Sequence, residues 1–189
     1  MEKILYIIAG GNGSGKITLA TELLPAENLD FLNADDIAKE ICPENIESVK
    51  VTAGKILLQR LEALLKSNKS FAIETTLAGS LYIKTINNAK KLGYKIVIIY
   101  SFVDKPLVSI NRIKIRVLNG GHYVPEEDVI RRFSRSKNNF WYKYKDIVDE
   151  WNLFYNGGAE YVLVANFSDN KIEVFHEKLY NMFTKDFIS

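Results

Sequence analysis

The chain has 189 residues, of which 47% are hydrophobic, a composition typical of a folded domain with a continuous core and not of a disordered segment. Its formal net charge of +2 is too small to indicate nucleic-acid binding. Cys42 is the single cysteine, which excludes an internal disulfide bond and a cysteine metal cluster. The length suits one domain over residues 1–189, and the small net charge gives no reason to expect a nucleic-acid partner. Because the sequence has neither a leader pattern nor a long apolar run, we expect a cytoplasmic protein without a membrane partner.

The stretch from Ile4 to Ala20 predicts a buried strand, a glycine-rich loop and a helix. Its apolar, β-branched start is typical of a central parallel strand. The next residues have the G-x-x-x-x-G-K spacing of a phosphate-binding loop (P-loop), whose N–H groups surround an anion at the positive end of the following helix. Lys16 of this motif reaches the β- and γ-phosphates of a nucleotide. The predicted nucleotide-binding residues are Gly10, Gly11, Asn12, Gly13, Ser14, Gly15, Lys16 and Thr18.

One position departs from this motif. The residue after the lysine is normally Ser or Thr, whose hydroxyl binds Mg²⁺, and here it is Ile17. Thr18 is rotated by about 100° around the helix and is not expected to replace that hydroxyl. We therefore expect the loop to bind phosphate well and Mg²⁺ poorly, and the metal ligands stay unknown from the sequence.

A carboxylate pair follows the second predicted strand. The P-loop helix is predicted from Lys16 to Leu24, and the strand at Phe31 and Leu32 ends where open α/β sheets bind their ligands. Asp35 is the candidate general base, because a kinase needs a carboxylate near the γ-phosphate to accept the proton of the attacking hydroxyl. The alternative is that Asp35 or Asp36 caps a helix beginning at residue 37, which is the favoured interpretation for Asp36.

Strands and helices continue to alternate up to residue 103. Helices are predicted over residues 45–67 and 80–92, and strands over residues 70–75 and 94–103. Glu74 lies at the carboxyl end of its strand, where we favour a site role over a capping or surface role. The alternation predicts an α/β fold of the P-loop NTPase type, with a doubly wound, mostly parallel sheet and helices on both faces.

The segment from residue 105 to 137 is predicted to be a helical lid. Two helices are joined by a loop in which Gly120-Gly121 provides a hinge. Phosphoryl transfer needs cations near the developing charge, so an arginine-bearing lid is favoured over a solvated basic face. His122 in this loop is a candidate substrate contact, with a structural role as the alternative. The basic residues are Arg112, Lys114, Arg116, Arg131, Arg132, Arg135 and Lys137.

The remaining residues are predicted to complete the same domain. A long helix is expected over residues 133–155, because its aromatic and aliphatic residues fall at helical spacing. Packing explains these aromatic residues better than base stacking. A strand at 160–166 and a turn at 168–170 follow. The segment from about residue 172 to 187 is expected to begin extended or helical and to end as a closing helix.

Taken together, these segments resemble the zeta toxin family of P-loop kinases, particularly its small bacterial chromosomal members. The resemblance covers the chain from Lys3 to about Asn156 and rests on GGNGSGK, NADDIA, FAIETTLAG and RIKIRVLNGGHYVPEEDVIRRFSRS. The GGH-x-VP segment followed by a double arginine is more specific than the P-loop alone.

The resemblance implies a reaction and a set of site residues. The best-studied family members transfer the γ-phosphate of ATP or GTP, with Mg²⁺, to the 3′-hydroxyl of the sugar in UDP-N-acetylglucosamine, and many members have an antitoxin partner. By resemblance, Lys16 binds phosphates, Asp35 is the base, and Glu74 and Thr75 line the sugar-nucleotide site.

The resemblance also assigns the arginines that stabilise the transferring phosphoryl group. These are Arg116 and Arg132, with Arg112 and Arg131 as alternatives. Two other functions stay open from the sequence. One is a kinase or NTPase acting on another small hydroxylated metabolite or nucleotide, and the other is a nucleotide-binding protein without turnover, in which Ile17 has abolished metal-assisted chemistry.

Overall fold

The computed structural model describes residues 2–24 and 29–187 of the chain. The strands within them are β1 (Ile4–Ala9), β2 (Asp30–Leu32), β3 (Phe71–Thr75), β4 (Lys95–Phe102), β5 (Glu150–Tyr155), β6 (Val162–Ser168) and β7 (Lys171–Val174). The helices are α1 (Lys16–Leu23), α2 (Ala34–Ile41), α3 (Ile46–Ser67), α4 (Leu81–Lys91), α5 (Pro106–Leu118), α6 (Glu126–Asn139) and α7 (Glu177–Thr184), and a π-helical turn at Phe140–Tyr144 follows α6.

The strands form one sheet in the order β2-β3-β1-β4-β5-β6-β7. The first five strands of this order are parallel, whereas β6 and β7 pair antiparallel to their neighbours. Strand β1 lies between β3 and β4, so Ile7 is paired with both Ile73 and Ile98. A strand covered on both sides and both faces needs the continuous apolar run that residues 4–9 provide. The predicted doubly wound, mostly parallel sheet is confirmed.

Helices cover both faces of the sheet. Successive side chains of a strand point to opposite faces, so neighbouring residues of β1 pack against different helices. On one face, Ile7 belongs to a core that includes Leu61 of α3, Ile86 of α4 and Phe183 of α7. On the other face, Ile8 packs in a cluster with Leu19 of α1. The parallel strands therefore end at one edge with helices on both sides, and the P-loop, which follows β1, lies at this edge.

The helix predicted over residues 133–155 is wrong in its second half. Helix α6 and its π-helical extension end at Tyr144, and Glu150–Tyr155 forms β5, which pairs with β4. Trp151 and Leu153 are buried while their neighbours are partly exposed, which is the alternation of a strand. Helical spacing could not account for Leu153, and the aromatic residues of this segment suit a strand equally well.

The predicted cap of the second helix is also wrong. Helix α2 begins at Ala34 and not at residue 37, and its N-cap is Asn33, whose Oδ1 accepts a hydrogen bond from the N–H of Asp35 at 2.7 Å. Asp35 and Asp36 lie in the first turn, where carboxylates are stabilised by the helix dipole. The other predicted helices and strands are present within one to three residues of the expected ends.

No helix within residues 2–24 and 29–187 is both long enough and apolar enough to cross a bilayer.

Candidate active site

The P-loop turns so tightly that glycine is required at two of its positions. Gly10 has φ +139° and Gly15 has φ +86°, conformations that other residues rarely adopt. A β carbon on Gly10 would collide with the backbone oxygen of Ser101, and one on Gly15 would collide with the side-chain amide of Asn156. The loop therefore lies directly against the ends of β4 and β5, and α1 begins at its last residue.

Lys16 is buried in the loop, with 7% of its surface exposed. Its Nζ donates to the carbonyl oxygen of Gly11 at 3.0 Å and forms an ion pair with Oε1 of Glu74 at 2.9 Å. The side chain of Glu74 is itself only 14% exposed. A buried cation needs a partner of opposite charge. Glu74 therefore neutralises the ammonium group of Lys16, which in a P-loop binds the phosphates of the nucleotide.

Two carbonyl groups of the loop accept hydrogen bonds from side chains of the surrounding protein. The carbonyl of Ser14 accepts hydrogen bonds from Ser101 Oγ at 2.6 Å and from Asn156 Nδ2 at 2.9 Å, and the carbonyl of Gly15 accepts one from the hydroxyl of Tyr161 at 2.8 Å. In a trans peptide the N–H points opposite to the C=O. The N–H groups that follow these carbonyls, on Gly15 and Lys16, therefore point away from these partners, as anion binding requires.

A cleft of about 440 Å³ opens beside the loop. It combines residues from the carboxyl ends of β1, β2 and β3 with residues of α5 and α6, so the lid helices face the P-loop. The lining residues are Asn12, Gly13, Gly15, Lys16, Ile17, Thr18, Asn33, Ala34, Asp35, Glu74, Thr75, Thr76, Tyr82, Arg112, Ile113, Arg116 and Arg132.

Most of the predicted site residues meet in this cleft. Asp35, Glu74 and Thr75 line it together with Lys16 and Thr18. Three predicted loop residues, Gly10, Gly11 and Ser14, do not line it, because they form the side of the loop that faces the protein interior.

The two aspartates of α2 differ in position. Asp35 is half-buried and lines the cleft, whereas Asp36 is exposed and its Oδ1 lies 3.3 Å from Nζ of Lys39 on the same helix. Of the two, only Asp35 lines the cleft, and Asp36 is a surface residue.

Of the four arginines considered for the transferring phosphoryl group, three line the cleft and one does not. Arg112, Arg116 and Arg132 line it. Arg131 is turned away, with 52% of its side chain exposed and its Nη2 at 2.5 Å from Asp128 Oδ1. The cleft is thus lined by three arginines as well as by Asp35 and Glu74, and the double arginine of α6 contributes one of the three.

His122 lies outside the cleft lining. Its Nε2 is 3.3 Å from Oε1 of Glu47 in the first turn of α3, and its carbonyl accepts a hydrogen bond from Arg116 Nη2 at 2.7 Å. Burial lowers the pKa of His122, and the charge of Asp35 opposes this shift. The contact joins the loop between the lid helices to α3, and the role of His122 toward a substrate stays a prediction.

Sequence reasoning missed several residues of the site. Tyr82 lines the cleft from α4, and burial raises its pKa to about 12, so its hydroxyl stays protonated. Asn156 and Tyr161 support the loop although they lie far along the chain. Asn33 and Thr76 lie beside predicted residues, and their positions after strand ends were the available signal.

Ile17 lines the cleft with 51% of its surface exposed. It offers no oxygen where the motif places a metal-binding hydroxyl. Between residues 2 and 24 and between 29 and 187, no group of three or more His, Cys, Asp or Glu side chains could hold a metal ion without other ligands. Residue 17 therefore does not supply the side-chain ligand that the P-loop motif provides for magnesium.

This sheet order, glycine loop and buried lysine define a P-loop α/β protein. The family model for zeta toxin matches residues 1–160, so the chain belongs to the zeta toxin family. An uncharacterised protein of Haemophilus influenzae (strain Rd) is 30% identical over 133 residues, which make up 70% of this chain and 94% of that protein.

Solved structures show the same fold. Chains from two crystal structures of AvrRxo1-ORF1 with AvrRxo1-ORF2, one with sulphate ions and one with ATP, match with TM-scores of 0.80 and 0.79 at 19% identity. Both cover 100% of this chain, which spans only 65% of theirs. A chain of the PezAT chromosomal toxin–antitoxin system of Streptococcus pneumoniae matches with a TM-score of 0.68 at 16% identity, covering 100% of this chain and 81% of that one.

Proposed function

We propose that the protein is a kinase that transfers the γ-phosphate of ATP or GTP to the 3′-hydroxyl of UDP-N-acetylglucosamine. The main support is the cleft, in which the P-loop lysine, a half-buried carboxylate and three arginines surround one space. Family membership and the fold shared with a chain from an ATP-containing structure agree with this proposal.

Each group in the cleft has a role in this reaction. The loop N–H groups and Lys16 bind the β- and γ-phosphates. The acceptor oxygen forms a bond to the γ-phosphorus while the bond from that phosphorus to the bridging oxygen of the leaving diphosphate breaks. Asp35 accepts the proton of the acceptor hydroxyl, and Arg116 and Arg132 stabilise the charge on the transferring group.

The acceptor is expected on the side of Glu74 and Thr75, which follow β3. Closure of the lid segment, residues 105–137, about Gly120-Gly121 would exclude water from the reacting groups. Closure would bring the guanidinium groups of α5 and α6 onto the phosphates without moving the P-loop, which the ends of β4 and β5 hold in place.

Magnesium normally assists phosphoryl transfer by neutralising charge on the β- and γ-phosphates. Ile17 supplies no ligand for it, so this observation supports a second candidate function, a nucleotide-binding protein with little turnover. A kinase for another small metabolite or nucleotide is the third. Because one similar structure is from the PezAT chromosomal toxin–antitoxin system, we also expect a protein antitoxin as partner. A cytoplasmic location is a further expectation, from the sequence alone.

The discriminating experiment is an assay of γ-phosphate consumption with and without UDP-N-acetylglucosamine, alongside calorimetric binding of a non-hydrolysable ATP analogue. Turnover that depends on UDP-N-acetylglucosamine supports the proposal. Turnover only with other acceptors supports the metabolite kinase, and tight binding without turnover supports the binding protein. Asp35→Ala, with Asp36→Ala as the matched control on the same helical turn, shows whether any turnover comes from this cleft.

A further inference from the structure

Strand β7 forms one edge of the sheet, and its outer side is free. Within residues 2–24 and 29–187, β6 is its only neighbour in the sheet, and all four residues of Lys171–Val174 are exposed. The chain that follows turns back over the sheet, because Phe183 of α7 packs on Phe102 of β4 with ring centroids 4.8 Å apart. Helix α7 therefore leaves the edge uncovered, and a further strand can pair with it.

The backbone groups on the free side of β7 belong to alternate residues. In an antiparallel ladder, hydrogen-bonded pairs alternate with pairs that are not hydrogen-bonded. The N–H of Phe175 donates to the carbonyl of Val164 at 2.9 Å, which sets this alternation along the hairpin of β6 and β7. The odd-numbered residues of β7 therefore direct their N–H and C=O groups to β6, whereas Ile172 and Val174 direct theirs to the free side.

The side chains of β7 do little to prevent such pairing. Sheet edges are commonly protected by proline, by a β-bulge or by charged side chains. Lys171–Val174 contains no proline, and its pairing with β6 has no bulge. Its two charged residues, Lys171 and Glu173, have opposite signs and lie two positions apart, so both side chains point to the same face of the sheet. A strand with this pattern can complement the charges of its own reversed copy.

The charges select one register for that pairing. If two antiparallel copies of β7 are centred on Ile172, each Lys171 lies directly opposite Glu173 of the other copy, and the two Ile172 residues exchange N–H to C=O hydrogen bonds. If the copies are centred on Glu173 instead, two carboxylates lie directly opposite each other. Opposite charges across a pair of strands stabilise it and like charges destabilise it, so the register centred on Ile172 is favoured.

Forming these contacts disrupts nothing else in the described chain. Neither Lys171 nor Glu173 has an ion-pair partner within residues 2–24 and 29–187. The side chains of Ile172 and Val174 are 48% and 37% exposed, so they also have apolar surface to bury. The residues that line the cleft all lie between positions 12 and 132, so the edge at β7 contributes nothing to the cleft.

We propose that the edge at β7 binds a second copy of this chain, with the two β7 strands antiparallel and centred on Ile172, so that the sheet continues from one copy into the other. The contact is two-fold symmetric, because the same four residues act on both sides. It is also small, so the dimer is weak and reversible, with a dissociation constant on the order of 0.1 mM.

Analytical ultracentrifugation of the full chain over a concentration series up to about 1 mM measures the association. Glu173→Lys and Lys171→Glu each replace two attractive contacts by two repulsive ones, so each weakens the dimer roughly 5-fold or more. The two substitutions change the net charge in opposite directions, so a loss in both is not an effect of net charge. Glu62→Lys and Lys66→Glu, at exposed positions of α3, which contacts β2 at the other edge of the sheet, are the matched controls and leave association unchanged.

Mixing the two single variants tests the register. The Glu173→Lys strand carries two cations and the Lys171→Glu strand two anions, so an equimolar mixture associates although neither variant does so alone. The double variant Lys171→Glu/Glu173→Lys exchanges the two charges and regains the wild-type affinity. In ¹⁵N NMR spectra of the wild type, dilution shifts the amide signals of Ile172 and Val174, whose N–H groups lie on the free side.

Two results overturn the proposal. A wild type that stays monomeric at about 1 mM shows that the edge does not bind a second copy, and leaves it to a strand of a different protein. A wild type that associates with an affinity that neither Glu173→Lys nor Lys171→Glu changes dimerises through another surface. Circular dichroism of the variants confirms that they are folded, so a loss of association is not a loss of structure.

Discussion

The ion pair between Lys16 and Glu74 predicts that one conservative substitution strengthens nucleotide binding. Glu74 Oε1 lies 2.9 Å from Lys16 Nζ, so an incoming phosphate has to displace a carboxylate. Glu74→Gln keeps the shape and a neutral hydrogen bond but removes the competing charge. We therefore expect the variant to bind a non-hydrolysable ATP analogue more tightly than the wild type.

The magnitude follows from the geometry of the pair. At 2.9 Å and an effective dielectric constant of about 20, the gross attraction is about 6 kcal/mol. Much of it is cancelled, since the released carboxylate regains hydration worth several kcal/mol and Gln keeps a hydrogen bond worth about 1 kcal/mol. A net of about 1–3 kcal/mol remains, which corresponds to roughly 5- to 150-fold tighter binding.

Calorimetry measures the affinity, and thermal unfolding supplies a second readout. Without its carboxylate partner the buried lysine destabilises the folded protein, so the Tm of the Glu74→Gln variant measured without nucleotide falls, while the increase in Tm caused by nucleotide grows. Glu62→Gln, at an exposed position of α3, is the control and changes neither. Equal or weaker nucleotide binding by Glu74→Gln would refute the competition and show that Glu74 orients Lys16 for phosphate instead.

Two further predictions concern the aspartate and the arginines that line the cleft. Asp35→Ala lowers turnover by roughly 10²- to 10⁴-fold with little change in nucleotide affinity, as expected of a general base, while an equal loss of binding in calorimetry would mark it as a structural or metal-binding residue. Arg116→Ala and Arg132→Ala each lower kcat more than nucleotide affinity, and Arg131→Ala is the matched control because it faces solvent; wild-type rates in both cleft variants would return these arginines to a solvated basic face.

The sequence was sufficient for those parts of the site that depend on local patterns. The glycine spacing predicted the loop, and the rule that ligands bind at strand ends predicted that Asp35 and Glu74 would meet at one edge. Neither rule gives distances, so the direct contact between Lys16 and Glu74 was not predicted, although both residues were assigned to the site.

Residues that act over long separations could not be predicted. Asn156 and Tyr161 support the loop from 142 and 146 residues away, and nothing in their neighbourhoods indicates that contact. Tyr82 falls at the spacing of the buried apolar residues of α4, so the sequence pattern assigned it to the core and not to the site. The error over β5 has a similar cause, since an aromatic segment satisfies helical and strand periods at once and only pairing with β4 decides between them.

Ile17 is the position where the chain departs from its own motif, and replacing it tests both the metal and the function. Loss of even an indirect metal partner typically costs about 10- to 100-fold in metal affinity or activity, so Ile17→Thr should raise Mg²⁺ affinity and turnover together by at least that factor. Because the side chain is 51% exposed, stability should change by no more than about 0.5 kcal/mol. Ile17→Val, which has the shape of Thr without its hydroxyl, is the control and should behave like the wild type. Growth arrest on expression of Ile17→Thr, but not of the parent or Ile17→Val, would favour a toxin whose activity Ile17 suppresses. If Ile17→Thr leaves the magnesium dependence unchanged, the metal is held by other groups of the cleft, and the departure at this position is not what limits catalysis.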